Sequence, residues 1–145
     1  MKALIQRVKH ASVTIDEKLY SDIGHGLLIF LGVEKGDTEV NAQKLCNKLV
    51  TLRIFEDEFG KMNKSLIDVN GQALVVSQFT LCGDCSKGTR PSFDKSEYPQ
   101  RAEELYEYFV KLMQESTIPT KTGKFGAMMD VSLLNDGPVT FLVEK

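Results

Sequence analysis

Four short stretches hold residue types that could do chemistry. "SQFTL", Ser77 to Leu81, ends the strongly β-forming run "ALVV" with two hydroxyls and an amide. In a strand, Ser77, Phe79 and Leu81 alternate to one face and Gln78 and Thr80 to the other. A strand end that feeds a long loop is a common place for a site, and a polar strand terminus is the plainer alternative. Cys82 and Cys85 make a C-x-x-C pair. A redox pair wants the start of a helix in a βαβ unit, whereas this one lies in a loop rich in Gly and Ser. A zinc site wants a second ligand pair, but the remaining candidates, Cys46, His10 and His25, are scattered. Lys87-Gly88-Thr89-Arg90 has the charge and backbone freedom to cradle a phosphate, but a solvated loop is the favoured reading. In "NDGPVT", Asn135 to Thr140, Asp136-Gly137 signals a hairpin turn, yet Pro138 stands where the returning strand should begin and has no N–H for a ladder.

Familiar catalytic sets are missing. There is no H-E-x-x-H pair, no G-x-S-x-G elbow and no G-x-x-x-x-G-K-[ST] loop. No second ligand pair completes a metal site in the sequence, and incidental thiols are the favoured reading of Cys82 and Cys85.

The elements that must position these stretches follow from hydrophobic periodicity. Leu4, Ile5 and Val8, then Val13 and Ile15, predict two strands with a break near Lys9 to Ala11. "DEKLYSDIGHG" gives a turn, a short strand and a bend, and "LLIFLGV" reads as a buried central strand. Asp37 or Thr38 can cap a helix whose buried stripe is Ala42, Leu45, Cys46, Leu49 and Leu52. Asn70-Gly71 predicts a hairpin between Ile67–Val69 and Ala73–Phe79. After the long aperiodic loop "LCGDCSKGTRPSFDKSEYP", a second helix spans about Tyr98 to Ser116 on a stripe of Ala102, Leu105, Phe109, Leu112 and Met113. "TGKFGAMMDVSLL" and "VTFLV" close the chain as strands. This order argues for one α+β domain over 1–145, with a largely antiparallel sheet and two main helices.

The 145 residues suit a single core; the net charge of −2 argues against a protein that coats DNA or RNA, while leaving room for a local RNA contact. No run approaches the roughly 20 apolar residues of a membrane span, and the N-terminus lacks a signal-peptide core. Three cysteines suit a reducing compartment, so the expected location is the cytoplasm.

Taken together, "SQFTL", "KGTRPSF", "TGKFGA" and "NDGPVTF" resemble the D-aminoacyl-tRNA deacylases, the D-tyrosyl-tRNA deacylase family. "IQRV" with Arg7 and "LGVEKGD", Leu31 to Asp37, fit as well, and the resemblance runs from Met1 to Val143. It implies a barrel-like α+β fold and a homodimer that needs no cofactor. It implies hydrolysis of the ester between a D-amino acid, or glycine, and the terminal adenosine of tRNA. It further implies that Gly137 and Pro138 are joined by a cis bond and enter the partner subunit's site as a chirality filter. There Ser77, Gln78, Phe79, Thr80 and Leu81 line the pocket, and Arg7 steadies the Gly-Pro loop. An X-Pro bond favours trans by only ~0.5–1 kcal/mol, so a cis form is accessible.

Thr80 is the hydroxyl nucleophile within the motif, but no base is visible beside it in the sequence. A water guided by backbone N–H groups near Phe79 and Thr80, helped by the ribose 2′-OH, is the favoured alternative. Phe125 and Met129 are candidates for adenosine lining or for core. Lys87 and Arg90, with Lys121 and Lys124, are candidate phosphate contacts or plain surface charges. Cys82, Cys85 and Met128 depart from the family pattern, which carries small or polar residues at the first two positions and commonly Asp at the third. Two rival readings are an RNA-end binder without turnover and a thiol redox or metal protein.

Overall fold

The computed structural model describes all 145 residues, Met1 to Lys145. Its scaffold is one long strand, β1 (Lys2–Ile15), continuous through the expected break. β1 turns at Asp16-Glu17, both at positive φ, into β2 (Lys18–Ile23), which pairs with its C-terminal half. β3 (Gly26–Gly32) then pairs antiparallel with its N-terminal half, so the two strands share one edge of β1. The opposite edge is covered along nearly its whole length by β8 (Asp130–Glu144).

Two ladders are parallel: β3 with β6 (Gln72–Ser77), and β6 with β7 (Thr120–Thr122). The antiparallel expectation therefore holds for β1, β2, β3 and β8, while the predicted hairpin at Asn70-Gly71 does not form. Residues 66–70 are turn, with Gly71 N–H donating to Leu66 O at 3.0 Å, and β6 pairs with distant β3. Burial decided the matter: Ala73, Leu74, Val75 and Val76 are apolar on both faces and belong in a central strand. Gly26 permits the ladder to begin, because a Cβ there would lie 1.9 Å from Gln72 O.

The ends of the sheet, β2 and β7, approach each other. Ser21 Oγ donates to Thr122 O at 2.8 Å and Lys121 Nζ lies 3.1 Å from Asp22, which curls the sheet into a nearly closed barrel. Inside the curl, Val8, Val13, Leu28, Leu74 and Val76 form a small apolar core. The outer face carries α1 (Glu39–Thr51) and α2 (Pro99–Glu115), packed on each other and on Ile5, Leu27, Ile29 and Val75. Thr38 is the cap of α1, its N–H donating to Asn41 Oδ1 at 3.0 Å, whereas Asp37 holds the Met1 ammonium. The buried stripes match expectation except that Val50 replaces Leu52 in α1, and Tyr106 and Val110 replace Ala102 and Leu112 in α2. A small hairpin of β4 (Phe55–Glu56) and β5 (Met62–Lys64) lies beside Arg7.

"NDGPVT" is not a hairpin. β8 runs through it in one direction, antiparallel to β1 throughout. Between Asn135 opposite Val8 and Thr140 opposite Gln6, β1 advances two residues and β8 five. The surplus leaves the ladder as a wide bulge with Gly137 and Pro138 exposed at its tip.

Candidate active site

β6 ends at Ser77, where Gln78 N–H donates to Leu31 O at 2.8 Å and fixes the exit of the chain. Phe79–Cys82 then wind into a 3-10 turn packed on β3. Gly32 makes the close approach possible, because a Cβ there would sit 3.0 Å from Cys82 Sγ and 3.2 Å from Gln78 O. Bonding within the turn starts at Leu81, whose N–H donates to Gln78 O. The N–H groups of Phe79 and Thr80 precede it and have no partner within the turn, as at any helix start. Thr80 is exposed, and its Oγ1 accepts from Gln78 Nε2. Phe79 is 57% exposed, its ring 5.1 Å from that of Phe93.

Beside this turn, at the carboxyl ends of the parallel strands β3 and β6, lies a cavity of about 520 Å³. The crevice beyond such strand ends is where parallel sheets commonly bind ligands. Of the residues singled out from sequence, it brings together Ser77, Gln78, Phe79, Phe125, Met128 and Met129. Phe125 also packs against Tyr106, and Met129 against the inner core, so each lines the cavity and packs on the core. Sequence reasoning missed Leu31, Val33, Ser96, Glu97 and Pro99. Pro99 does mark the start of a helix, but the contact depends on a long-range bond, Glu97 N–H to Val33 O at 3.0 Å, that no local pattern announces. Thr80, Leu81, Arg7, Gly137, Pro138, Lys87 and Arg90 do not wall this cavity. Lys87 and Arg90 stand exposed on the loop beyond the turn, where Gly88 takes a positive φ.

Arg7 and the Gly137-Pro138 bulge form a second centre. The Gly137–Pro138 bond is cis. Asn135 Nδ2 clamps the base of the bulge, donating to Arg7 O at 3.0 Å and Val139 O at 3.1 Å, and Val139 is buried in the main core. Arg7, only 4% exposed, stands beneath: Nη1 donates to Ile54 O at 2.7 Å and Nε lies 2.8 Å from the Asp136 carboxylate. Arg7 is level with Leu27 on β3, and Ser77 is level with Leu31. Four residues of strand separate those levels, roughly 13 Å. The bulge and the "SQFTL" turn of one chain are thus set apart along β3, near the levels of its two ends.

Of the three free thiols, Cys46 and Cys82 are buried and Cys85 is exposed. Burial, with help from Glu34, pushes the Cys82 thiol up, and its Sγ rests 3.4 Å from Val33 O. Burial likewise pushes Cys46 up to about 11, so both stay protonated near neutrality. On the loop beyond, hydrogen bonds from Ser86 hold the Asp84 carboxyl below its usual range.

Known proteins align with this geometry along the whole chain. The family model described as D-Tyr-tRNA(Tyr) deacylase matches residues 4–144. The D-aminoacyl-tRNA deacylase of Persephonella marina is 57% identical over 145 residues, covering 100% of this chain and 98% of its own length. That of Aquifex aeolicus is 54% identical over 145 residues, at the same coverage. A solved structure described as c-Myc DNA Unwinding Element Binding Protein superposes with a TM-score of 0.94 at 41% identity, covering 100% of this chain and 99% of that one. Another, described as a probable eukaryotic D-amino acid tRNA deacylase, shares the fold with a TM-score of 0.87 at 16% identity, covering 99% and 98%. With a match to all but its first three residues and its last, the chain belongs to the D-Tyr-tRNA(Tyr) deacylase family.

Proposed function

We propose that this protein is a D-aminoacyl-tRNA deacylase, a hydrolase that releases a D-amino acid from the 3′-terminal adenosine of tRNA. The observation that carries the reading is the cavity walled by Ser77, Gln78 and Phe79 in a chain whose family membership spans nearly its full length. Water adds to the ester carbonyl, the bond to the ribose oxygen breaks, and that oxygen takes up a proton; the products are the free amino acid and tRNA. The Phe79 and Thr80 N–H groups serve as donors to the developing oxyanion, and the ribose 2′-OH assists the water. Thr80 is a poor nucleophile, because the partner of its hydroxyl is an amide donor that cannot take its proton.

The cavity seats the adenosine against Phe125 and Met129, and Lys87 and Arg90 meet phosphates of the acceptor end. The chirality filter is the Gly137-Pro138 bulge of a second copy. The separation of bulge and turn within one chain supports this arrangement, as does the outer edge of β8, which pairs with no strand and carries exposed Leu134 and Leu142. Main-chain carbonyls of the bulge receive the α-ammonium, and main chain then excludes an L side chain whatever its identity. Glycine has no side chain to exclude and is accepted. All 145 residues act as one domain, in the cytoplasm, as a homodimer, without a cofactor. No helix is long and apolar enough to cross a membrane.

The test is release of amino acid from tRNA charged with D-tyrosine, L-tyrosine or glycine. The D and glycyl esters should be hydrolysed and the L ester spared. Binding without release, or equal release of both enantiomers, would overturn the proposal.

A further inference from the structure

Glu97 is the one charged side chain in the wall of the cavity. Its backbone is held from both sides: its N–H donates to Val33 O, and the preceding Ser96 bridges to Glu34. Its Oε1 accepts from Tyr98 N–H at 2.8 Å, which ties the carboxylate to the approach to α2. Its Oε2 has no partner, and no Lys, Arg or His pairs with it. The nearby Lys35 is turned to the Tyr98 ring, 5.3 Å from its centroid. A carboxylate without a cationic partner therefore stands in the wall of a mostly apolar chamber.

We propose that Glu97 determines specificity in this site: its open oxygen accepts a hydrogen bond from an uncharged donor of the terminal nucleoside, and its charge excludes a phosphate. A carboxylate is an acceptor only, so it selects the adenine amine or a ribose hydroxyl. The same negative charge repels a nucleotide's phosphate. The chamber thereby reads a free 3′ end and leaves the backbone phosphates outside. This rests on the nucleoside occupying the cavity as proposed above.

The experiment compares wild type with Glu97→Gln, which retains an acceptor for Tyr98 N–H, using inhibition of D-tyrosyl-tRNA hydrolysis. The probes are adenosine, purine riboside (no amine), 2′-deoxyadenosine and adenosine 3′-phosphate. In wild type, the analogue lacking the paired donor should inhibit about tenfold more weakly than adenosine, and the identity of that analogue separates amine from hydroxyl. The 3′-phosphate should be weaker still. In Glu97→Gln these differences should shrink and KM for the charged tRNA should rise about tenfold. Unchanged ratios in the variant, or an active wild type that adenosine does not inhibit, would overturn the role of Glu97. A wild type that leaves D-tyrosyl-tRNA intact would instead remove the deacylase reading.

Discussion

Replacing Arg7 with alanine should loosen the Gly137-Pro138 bulge from below. The guanidinium is 4% exposed and spends its donors on Ile54 O, on the Asp136 carboxylate and, at 3.3 Å, on Asp136 O. Truncation leaves Ile54 O without that donor, which costs about 1–3 kcal/mol. It also strands Asp136, whose side chain is 28% exposed, so the ion-pair loss sits below the ~3–5 kcal/mol of a fully buried pair. The contact with Glu56, 3.5 Å long and on a side chain 58% exposed, contributes little. Together these give about 3–4 kcal/mol, a drop in Tm on the order of 10 °C for a chain of this size.

Thermal and urea unfolding measure the loss, and an Asp136→Asn variant apportions it, since it removes the ion pair but keeps the Ile54 bond. That variant should lose about 1–2 kcal/mol. Arg7→Lys should fall between the two, because one ammonium cannot reach both partners in the fork geometry of Arg. The D to L hydrolysis ratio should fall with the mobility of the bulge. An Arg7→Ala protein melting within about 2 °C of wild type, or keeping full enantiomer discrimination, would refute Arg7 as the support of this loop.

Thr80→Ala should retain substantial deacylase activity, while tRNA ending in 2′-deoxyadenosine should be nearly inert; loss of turnover in a folded Thr80→Ala protein would restore the acyl-enzyme. Gly26→Ala should be insoluble or unfolded when expressed, because its Cβ would meet backbone, Gln72 O, at 1.9 Å; a soluble variant with wild-type circular dichroism would contradict the close β3–β6 approach. Tyr106 is buried and its hydroxyl donates to Val75 O at 2.9 Å, and burial raises its pKa above the usual phenol value of about 10. A raised folded-state pKa means stability that is present below pH ~10 and lost as pH rises toward the folded value. Tyr106→Phe should therefore flatten the alkaline decline in Tm. Its neutral-pH cost should stay near 1 kcal/mol, since Val75 O still accepts from Gly123 N–H.

The helices were legible because their signals are local: Thr38 before an apolar stripe, Pro99 at a first turn, spacing of three and four. Of "SQFTL", only Ser77 is strand; the alternation expected of Phe79 and Leu81 gives way to a 3-10 turn, and the place of the segment in a cavity was not legible, because Glu97 and Val33 meet only through the tertiary fold. The hairpin expected at Asn70-Gly71 does not form, although Asn70 takes a positive φ of 49°. Its partner was misread, since a turn dipeptide states that the chain bends and says nothing of which strand it joins.

The bulge shows the same limit from the other side. Asp136-Gly137 favours reversal over four residues, and Pro138 forbids an ordinary return. What settles the path is β1, which offers a single edge 14 residues long. "DVSLL" and "VTFLV" both gain a ladder by staying on that edge, whereas a hairpin would leave one of them pairing outward into solvent. The chain therefore keeps its direction and sheds the surplus residues sideways. Asn135 and buried Val139 pin the two feet, and Arg7 and Asp136 brace the interior. A proline that is awkward in a ladder costs nothing in a segment already expelled from it. The local conflict between a turn signal and a strand signal is thus what puts exposed main chain at a fixed height on the barrel, where a loop with no such conflict would have none to present.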